Sequence, residues 1–471
     1  MNLFYPGYYR SVKSFYVENF GCRATQADGA AIEHQFQERG LERAETSSEA
    51  EVVVVNTCTV TAAADHDARA AIRRIHRENP NCRIVVTGCY AQRAPEEIAA
   101  LPGVSQVIGN SHKHRLAEIA SLTVVPLTQL QNPEVDESPI FVSDIFAHTE
   151  LLAAPVFDAA NQRTRPNLKV QDGCDNRCSF CVIPYVRGNS RSLPLSRIID
   201  EVNSLVNAGY REVVISGINL GRWGRDFTSQ QSFPDLIRAI LQHTSLEKLR
   251  ISSVEPMDWS DELINLVASS RRIAKHAHVP MQSGSDGILR KMHRKYRPWH
   301  YREKIEKIRA AMASAAIGAD IMVGFPGESD ADFQQTLRMV EQLPFTYLHV
   351  FTYSARPGTP AAAMCDRVPV QIARERNQLL RELVGHRKLT FMRSLIGKSV
   401  EAITLKACGD VKPSLWQPGA PVGSTAFTET LTDNYLKLRL NQRLQPNQWW
   451  LARVETVRDG MLHGEALAPA A

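Results

Sequence analysis

The chain has 471 residues, of which 44% are hydrophobic and 22% charged, a balance that excludes a wholly disordered protein and suggests about three domains of roughly 150 residues each. No stretch approaches the roughly 18 apolar residues of a membrane span, and the first residues lack a signal-peptide pattern, so we expect a soluble, cytoplasmic protein with no membrane partner. The net charge of +5 is uneven, with −7 on residues 1–159, +11 on residues 160–393 and +1 on the remainder. A basic centre favours an anionic partner, although a solvated basic surface would look the same.

Residues 15–120 alternate between strand and helix patterns. The predicted strands are Phe15–Phe20, Glu51–Asn56, Arg83–Thr87 and Val104–Ile108, and the predicted helices between them are Gln26–Arg39, Thr61–Glu78 and Pro95–Leu101. This alternation predicts a parallel, doubly wound α/β domain.

Three of the nine cysteines follow successive strands of this domain, namely Cys22, Cys58 and Cys89. Because the carboxyl ends of parallel strands meet at one edge, we expect the three thiols to converge there. Three thiolates would leave one iron of a four-iron cluster open. The alternative is three buried core cysteines, and Cys82, which precedes its strand, is interpreted in that way. The absence of a secretory signal argues against disulfides.

The central part of the chain holds a short cysteine loop with C-x3-C-x2-C spacing, formed by Cys174, Cys178 and Cys181. A zinc site would need a fourth ligand, for which the candidates are His243, His276 and His278. A [4Fe–4S] cluster with three cysteine ligands would instead keep one iron free for a cofactor.

Strand patterns recur after this loop, at Glu212–Ser216, Lys248–Ser253, His276–Met281, Ile317–Val323 and Tyr347–Tyr353. The helices predicted between them include Leu195–Ala208, Asp258–Ser269, Trp299–Ala315 and Asp330–Gln342. That order predicts an incomplete parallel α/β barrel with its chemistry at the carboxyl ends of the strands.

The cysteine loop, with Phe180 just before its last cysteine, resembles the cluster motif of radical S-adenosylmethionine (SAM) enzymes. Further segments resemble the methylthiotransferase branch, and the likeness spans residues 14–457: Gly21-Cys22, Asn56–Val60, Thr87–Gln92, Cys181–Ser192, His278–Ser285, Ile321–Glu328 and Tyr353–Pro360. The resemblance implies a radical-generating [4Fe–4S] cluster on Cys174, Cys178 and Cys181 that binds SAM. It also implies an auxiliary [4Fe–4S] cluster on Cys22, Cys58 and Cys89 that carries or donates sulfur, and a second SAM that supplies the methyl group.

The resemblance also assigns the barrel rim to SAM. The rim residues are Ser216, Gly217, Ser253, Glu255, Gln282 and Gly324. The Pro326-Gly327 pair at the same rim is equally compatible with a simple turn.

Short alternating segments follow the barrel pattern, at Ser399–Leu405, Ser424–Leu431, Tyr435–Leu440 and Gln448–Val457. They predict a small antiparallel β-barrel that resembles the TRAM domain of tRNA-modifying enzymes. Its near-neutral charge means that RNA binding would depend on shape and on exposed aromatics such as Trp416 or Tyr435. A structural lid is the alternative, and residues after Gly464 are expected to form a loose tail.

The predicted domains are therefore 14–120 for the methylthiotransferase N-terminal domain, 121–159 for a linker, 160–394 for the radical SAM core and 395–460 for the TRAM domain. Related branches modify isopentenyladenosine in tRNA, threonylcarbamoyladenosine in tRNA or a ribosomal-protein aspartate. Met292–Tyr296, Leu348–Phe351 and Asp433–Tyr435 look most like the threonylcarbamoyladenosine enzymes. The first of these segments is basic and aromatic, which suits a phosphate and a base, or else is a solvated helix end.

The resemblance thus implies methylthiolation of C2 of threonylcarbamoyladenosine in the tRNA anticodon loop. It also implies an electron donor such as flavodoxin or ferredoxin. The alternative of another class is a non-catalytic iron–sulfur electron carrier or RNA-binding protein, which would not need the rim motifs.

Overall fold

The computed structural model describes residues 12–121, 138–148, 151, 164–405 and 427–470. The chain divides into an N-terminal unit, which includes residues 182–189, and a C-terminal unit, which holds residues 155–181 and everything from residue 190 onward. None of the described helices combines the length and apolar character needed to cross a membrane.

The N-terminal unit is a doubly wound sheet, as predicted. Its described elements are β1 Ser14–Asn19, α1 Arg23–Glu38, β2 Glu42–Arg43, β3 Val52–Thr57, α2 Ala62–Glu78, β4 Arg83–Gly88, α3 Cys89–Arg93, α4 Pro95–Ala99, β5 Val104–Gly109, α5 Leu116–Ser121, β6 Ile140–Phe141 and α6 Ile183–Arg187. The strands are parallel and ordered β2-β1-β3-β4-β5-β6.

The valine run of β3 explains why this sheet is covered on both faces. Val53 and Val55 pack into one apolar cluster with Ile84, whereas Val52 and Val54 pack into the opposite cluster. A strand buried on both faces reads as a continuous apolar run because alternate side chains enter different cores.

The C-terminal unit begins with an α/β barrel. Its described elements are β7 Asn167–Asp172, β8 Arg191–Ser192, α7 Leu195–Asn207, β9 Glu212–Gly217, α8 Phe233–His243, β10 Lys248–Ile251, α9 Asp261–Ser269, β11 His276–His278, α10 Asp286–Lys291, α11 Pro298–Ala311, β12 Ala316–Val323, α12 Asp330–Gln342, β13 Tyr347–Thr352 and α13 Val370–Arg393. Two sheets, ordered β10-β9-β7-β8 and β11-β12-β13, are joined by parallel bridges from Leu249 to Ile273 and from Ser253 to His278. Among the described strands β13 pairs only with β12, so the barrel is incomplete, as predicted.

A closed β-barrel follows, with elements β14 Ser399–Thr404, β15 Thr428–Thr432, β16 Lys437–Leu440, β17 Trp449–Arg458 and β18 Met461–Pro469. The strands close in the order β14-β15-β16-β18-β17, which agrees with the TRAM-like domain predicted. The expected loose tail after Gly464 is wrong, because β18 runs beyond that residue and pairs with both β16 and β17.

The β15–β16 turn of the small barrel is bound to the α/β barrel within the same unit. The fully buried Arg250 pairs with Glu212 at 2.5 Å and donates to the carbonyl oxygen of Asp433 at 2.9 Å. The Tyr435 ring packs 4.8 Å from the ring of His276. Tyr435 is therefore a junction residue and not the exposed RNA-stacking aromatic that was expected, while Trp416 lies outside the described residues.

Candidate cluster-binding sites

The three predicted thiols of the N-terminal unit lie at the carboxyl ends of β1, β3 and β4. Cys22 occupies the N-cap position of α1, Cys58 directly follows β3, and Cys89 is the first residue of α3. Gly21 passes so close to Cys58 that a Cβ at Gly21 would lie 2.9 Å from the Cys58 sulfur. Gly21 also has φ +108°, a conformation that a residue with a side chain rarely adopts.

The protonation of Cys58 reflects this crowding. Burial, together with the neighbouring thiols of Cys89 and Cys22, raises the pKa of Cys58 to about 12. Cys58 and Cys89 are buried, Cys22 is exposed, and all three are free of disulfides. Grouped thiols with one solvent-facing member fit an iron–sulfur cluster, whose iron displaces the thiol protons.

A network of buried charge lies beside these thiols. Asp28 accepts hydrogen bonds from Lys113 at 3.0 Å and from Arg187 at 2.8 Å, and all three side chains are buried. Arg187 favours the thiolate of Cys58, and Asn110 donates to the Cys89 sulfur at 3.6 Å. These cations and the amide suit an anionic cluster, and the sequence reasoning did not single them out.

The C-x3-C-x2-C loop of the C-terminal unit is fixed by its own non-cysteine residues. The Ser179 amide donates to the carbonyl oxygen of Met292 at 3.1 Å, and its hydroxyl donates to that of Lys291 at 2.7 Å. Phe180 packs on an apolar cluster that includes Met292 and Phe325. The three thiols therefore belong to a loop anchored at the C-terminal end of α10.

Two polar side chains that the sequence reasoning missed reach the thiols of this loop. Asn219 donates to the Cys174 sulfur at 3.7 Å, and Arg294 donates to the Cys178 sulfur at 3.1 Å while pairing with Glu255. Burial raises the pKa of Cys174 to about 11. The thiols are thus partly buried and have donors already directed at two of the sulfurs, which suits an iron–sulfur cluster.

The structure overturns one interpretation of the basic segment Met292–Tyr296. Arg294 and Tyr296 are 8% and 1% exposed, so neither can bind an RNA phosphate or base. Arg294 instead contacts Cys178, and the Tyr296 hydroxyl donates to the carbonyl oxygens of Pro280 and Met281. The basic and aromatic composition of this segment did not show which of its residues are buried and which are exposed.

Three residues of the predicted SAM rim, Ser216, Gly217 and Glu255, lie beside the strand that precedes the loop or beside a side chain that contacts it. The Ser216 hydroxyl and the Asn219 amide oxygen are buried without a hydrogen-bond partner among the described residues, which is what a site for a polar ligand requires. Gly217 lies against Gln171, where a Cβ would come within 2.9 Å of the Gln171 amide oxygen. Glu255 reaches the loop through Arg294.

The other rim residues lie further along the strand ends. Ser253 bridges to His278, and Gln282, with φ 61°, bridges to Ile321. The Gly324 amide donates to Glu328 at 2.6 Å, and Glu328 is paired with Arg376. None of these three rim residues, Ser253, Gln282 or Gly324, makes a hydrogen bond to a motif thiol in the described parts of the chain.

The remaining cysteines are Cys82, Cys365 and Cys408. Cys82 is packed in the apolar core of the N-terminal unit, in keeping with its structural interpretation. Cys365 is exposed, and Cys408 lies outside the described residues.

A cysteine loop anchored at the strand ends of an open parallel barrel defines the radical SAM class of enzymes. Residues 168–340 match the Radical SAM superfamily, and residues 14–109 match the family described as Uncharacterized protein family UPF0004. The solved radical S-adenosylmethionine methyltransferase TsrM from Kitasatospora setae shares the fold, with a TM-score of 0.54, 16% identity and coverage of 75% of this chain and 77% of that chain.

Two curated relatives extend the likeness to most of the chain. The threonylcarbamoyladenosine tRNA methylthiotransferase MtaB of Aquifex aeolicus is 36% identical over 83% of this chain and 92% of its own. The tRNA-2-methylthio-N(6)-dimethylallyladenosine synthase of Novosphingobium aromaticivorans is 34% identical over 83% of this chain and 87% of its own. The chain belongs to the radical SAM methylthiotransferase family, whose radical chemistry uses SAM and a [4Fe–4S] cluster.

Proposed function

We propose that this protein attaches a methylthio group to C2 of N6-threonylcarbamoyladenosine at tRNA position 37, beside the anticodon, using two [4Fe–4S] clusters and two SAM molecules per turnover. The observation that carries the proposal is a second group of thiols, Cys22, Cys58 and Cys89, gathered at one sheet edge in addition to the C-x3-C-x2-C loop. A radical SAM enzyme that only cleaves SAM does not need this group, whereas sulfur insertion needs a second sulfur-bearing centre.

The reaction needs cofactor chemistry because the C2 hydrogen of adenine is not acidic. A [4Fe–4S] cluster with bound SAM supplies one-electron chemistry that no side chain provides. A donor such as flavodoxin or ferredoxin would supply the electron. A tRNA substrate places the reaction in the cytoplasm.

The side chains around the loop would bind and orient these groups. Cys174, Cys178 and Cys181 would hold the cluster, while Asn219 and Arg294 donate to sulfur and stabilise its negative charge. The unpartnered Ser216 hydroxyl and Glu255, fixed by Arg294, would bind polar groups of SAM. Ser253, Gln282 and Gly324 would complete that rim.

In the N-terminal unit, Cys22, Cys58 and Cys89 would hold the auxiliary cluster. Arg187 and Lys113, which meet at Asp28, place positive charge beside these thiols. This charge stabilises the anionic form of a thiolate-ligated cluster in a buried site.

The case for an RNA partner rests on the barrel surface and not on its junction with the core. At the junction, the Lys275 ammonium donates to three backbone carbonyl oxygens, of Val267, Ala268 and Ser270. Its hydrogen bonds therefore go to the protein and not to an RNA phosphate. On the small barrel, the Phe427 ring is 49% exposed and lies 4.0 Å from the Arg439 guanidinium. An exposed aromatic with an adjacent cation suits a stacked base and its phosphate.

The role of the second thiol group is tested with Cys58→Ala in the reconstituted enzyme supplied with SAM, dithionite and tRNA. We expect 5′-deoxyadenosine formation to persist and methylthiolated nucleoside to disappear. Cys82→Ala is the matched control, because Cys82 is a buried cysteine of the same unit outside the thiol group, and it should retain both activities. Methylthiolated product from Cys58→Ala would refute the auxiliary-cluster role.

The substrate is tested by mass spectrometry of tRNA nucleosides from a deletion strain and from the complemented strain. Loss of methylthio-threonylcarbamoyladenosine alone is the expected result. Loss of the isopentenyl derivative would refute the substrate assignment and favour the activity named for the Novosphingobium relative. An intact tRNA profile with an unmodified ribosomal-protein aspartate would move the substrate to protein. Failure of wild-type protein to form 5′-deoxyadenosine would favour a non-catalytic iron–sulfur or RNA-binding protein.

A further inference from the structure

Two histidines and an aspartate, none of them a predicted cluster ligand, meet on neighbouring strands of the α/β barrel. His278 ends β11, Asp320 lies in β12 and His349 lies in β13. The strand registers place His278 opposite Gly318 and Asp320 opposite His349. Because side chains alternate along a strand, residues 318 and 320 share one face, and the three ligand-type side chains therefore share it too.

The ligand atoms of these side chains are already close. The Asp320 carboxylate lies 3.1 Å from Nε2 of His278 and 3.2 Å from Nδ1 of His349. All three ligand atoms lie within 4.8 Å of one another. Ligands around a tetrahedral Zn²⁺ with bonds of about 2.0–2.2 Å are roughly 3.4 Å apart, so small side-chain movements would complete the site.

Tyr347 fixes the orientation of the His278 ring through the ring nitrogen that does not face Asp320. The Tyr347 hydroxyl lies 3.0 Å from Nδ1 of His278 and 2.7 Å from Nε2 of His276. Tyr347 can take this position because its ring lies across Gly318, where a Cβ would come within 2.0 Å of the ring. A hydrogen bond to the second ring nitrogen is the usual support of a metal-binding histidine, because it turns the first nitrogen toward the ion.

The side of the His278, Asp320 and His349 group that faces away from Tyr347 is open to solvent. The His349 side chain is 55% exposed and that of Asp320 is 25% exposed, whereas His278 is 9% exposed. A protein site with three ligands and one accessible side leaves a coordination position for water or for an oxygen atom of another molecule.

We propose that His278, Asp320 and His349 bind a divalent transition-metal ion of the Zn²⁺ type. Two imidazoles and a carboxylate suit such an ion and distinguish the site from the thiol-ligated iron clusters. The proposal of this metal site does not depend on which substrate the protein methylthiolates. The competing account is an aspartate that is only hydrogen-bonded to two histidines and binds no metal.

The experiment uses full-length protein with both clusters reconstituted, so that the cluster cysteines are occupied. The protein is equilibrated with ZnSO₄, passed through a desalting column and analysed for zinc and iron by mass spectrometry and for zinc ligation by X-ray absorption. We expect about one zinc per chain, with nitrogen and oxygen ligands at about 2.0–2.2 Å and no sulfur at about 2.3 Å. His349→Ala and Asp320→Asn should each weaken zinc binding at least about tenfold without changing the iron content.

His243→Ala is the matched control, because His243 is an exposed histidine at the end of α8 in the same unit, and it should bind zinc like the wild type. Neither His349→Ala nor Asp320→Asn is expected to unfold the protein, because His349 is mostly exposed and Asn has nearly the same shape as Asp. Lack of retained zinc in the wild type, sulfur ligation of that zinc, or equal binding by His349→Ala would each overturn the proposal.

Discussion

The Gly21→Ala substitution tests how closely the backbone before Cys22 approaches Cys58. Gly21 has φ +108°, and a Cβ there would lie 2.5 Å from the Cys58 Cβ and 2.9 Å from its sulfur. The left-handed backbone costs about 1–2 kcal/mol for a residue with a side chain, and the overlap adds about 1–3 kcal/mol of overpacking. We expect the folded state to lose about 2–5 kcal/mol of stability, because Cys58 has to move.

Gly40→Ala separates the two contributions. Gly40 also has a positive φ, of +77°, but no atom lies within 4 Å of its Cβ position. Gly40→Ala should therefore lower the stability of the folded state by only about 1–2 kcal/mol. The assays are chemical denaturation and iron analysis after reconstitution. Under the proposal of two clusters, Gly21→Ala should retain roughly four irons per chain, the content of one cluster, whereas Gly40→Ala should retain roughly eight. Equal stability and equal iron in the two variants would refute the reasoning.

Three further predictions concern charges inside the C-terminal unit. Arg294→Met should destabilise the protein by about 2–4 kcal/mol and slow 5′-deoxyadenosine formation, because it leaves the Glu255 carboxylate without its cation; unchanged SAM cleavage would contradict its place at the site. Arg250→Met should cost about 3–5 kcal/mol in denaturant unfolding because its ion-pair partner is fully buried, and a second change that neutralises that partner should recover part of the loss. Burial alone would raise the pKa of Glu401, but hydrogen bonds from Lys248 and Arg271 hold it below its usual value. Its stabilisation is therefore present above the unfolded-state pKa and lost as the pH falls through the lower folded-state pKa, so Glu401→Gln should cost about 1 kcal/mol at pH 7 and less at a pH below the folded-state pKa. A loss that is equal at both pH values in thermal melts would exclude this account.

Strands were predictable where burial required apolar side chains. The valine run of β3 and the isoleucine and valine residues of β4 gave those elements to within one residue. The positions of Cys58 and Cys89 followed, because each comes directly after one of these strands. The parallel order of the sheet was enough to predict that Cys22, which follows β1, lies at the same sheet edge as Cys58 and Cys89.

Strand β7 was missed because four of its six buried residues, Asn167, Lys169, Gln171 and Asp172, are polar. Lys169 and Asp172 are bonded to each other at 2.9 Å, and the Gln171 amide oxygen accepts from the amide of Asn219 at 2.7 Å. These groups are buried in a strand because they support the cysteine loop that follows it. Local patterning assigns a polar segment to the surface and cannot anticipate partners that lie far along the chain.

Strand β18 was missed because of Gly464. Glycine inside a strand usually weakens it, and here it suggested a loose end of the chain. The structure gives the reason for it, since a Cβ at Gly464 would lie 1.9 Å from the carbonyl oxygen of Arg453. The close approach of β17 and β18 that closes the barrel requires the residue that made the strand hard to recognise.

The charges that accompany the thiols were the least predictable part of either site, although physical chemistry requires them. Buried thiolates need positive charge or hydrogen-bond donors nearby, since an uncompensated buried anion is costly. In the N-terminal unit Arg187 acts on Cys58, although the two residues are far apart in the sequence. In the C-terminal unit Arg294 reaches Cys178 from 116 residues away. Cysteine spacing therefore locates the ligands of such sites, whereas a buried arginine beside them becomes visible only in three dimensions and is the stronger sign that the thiols bind an anionic centre.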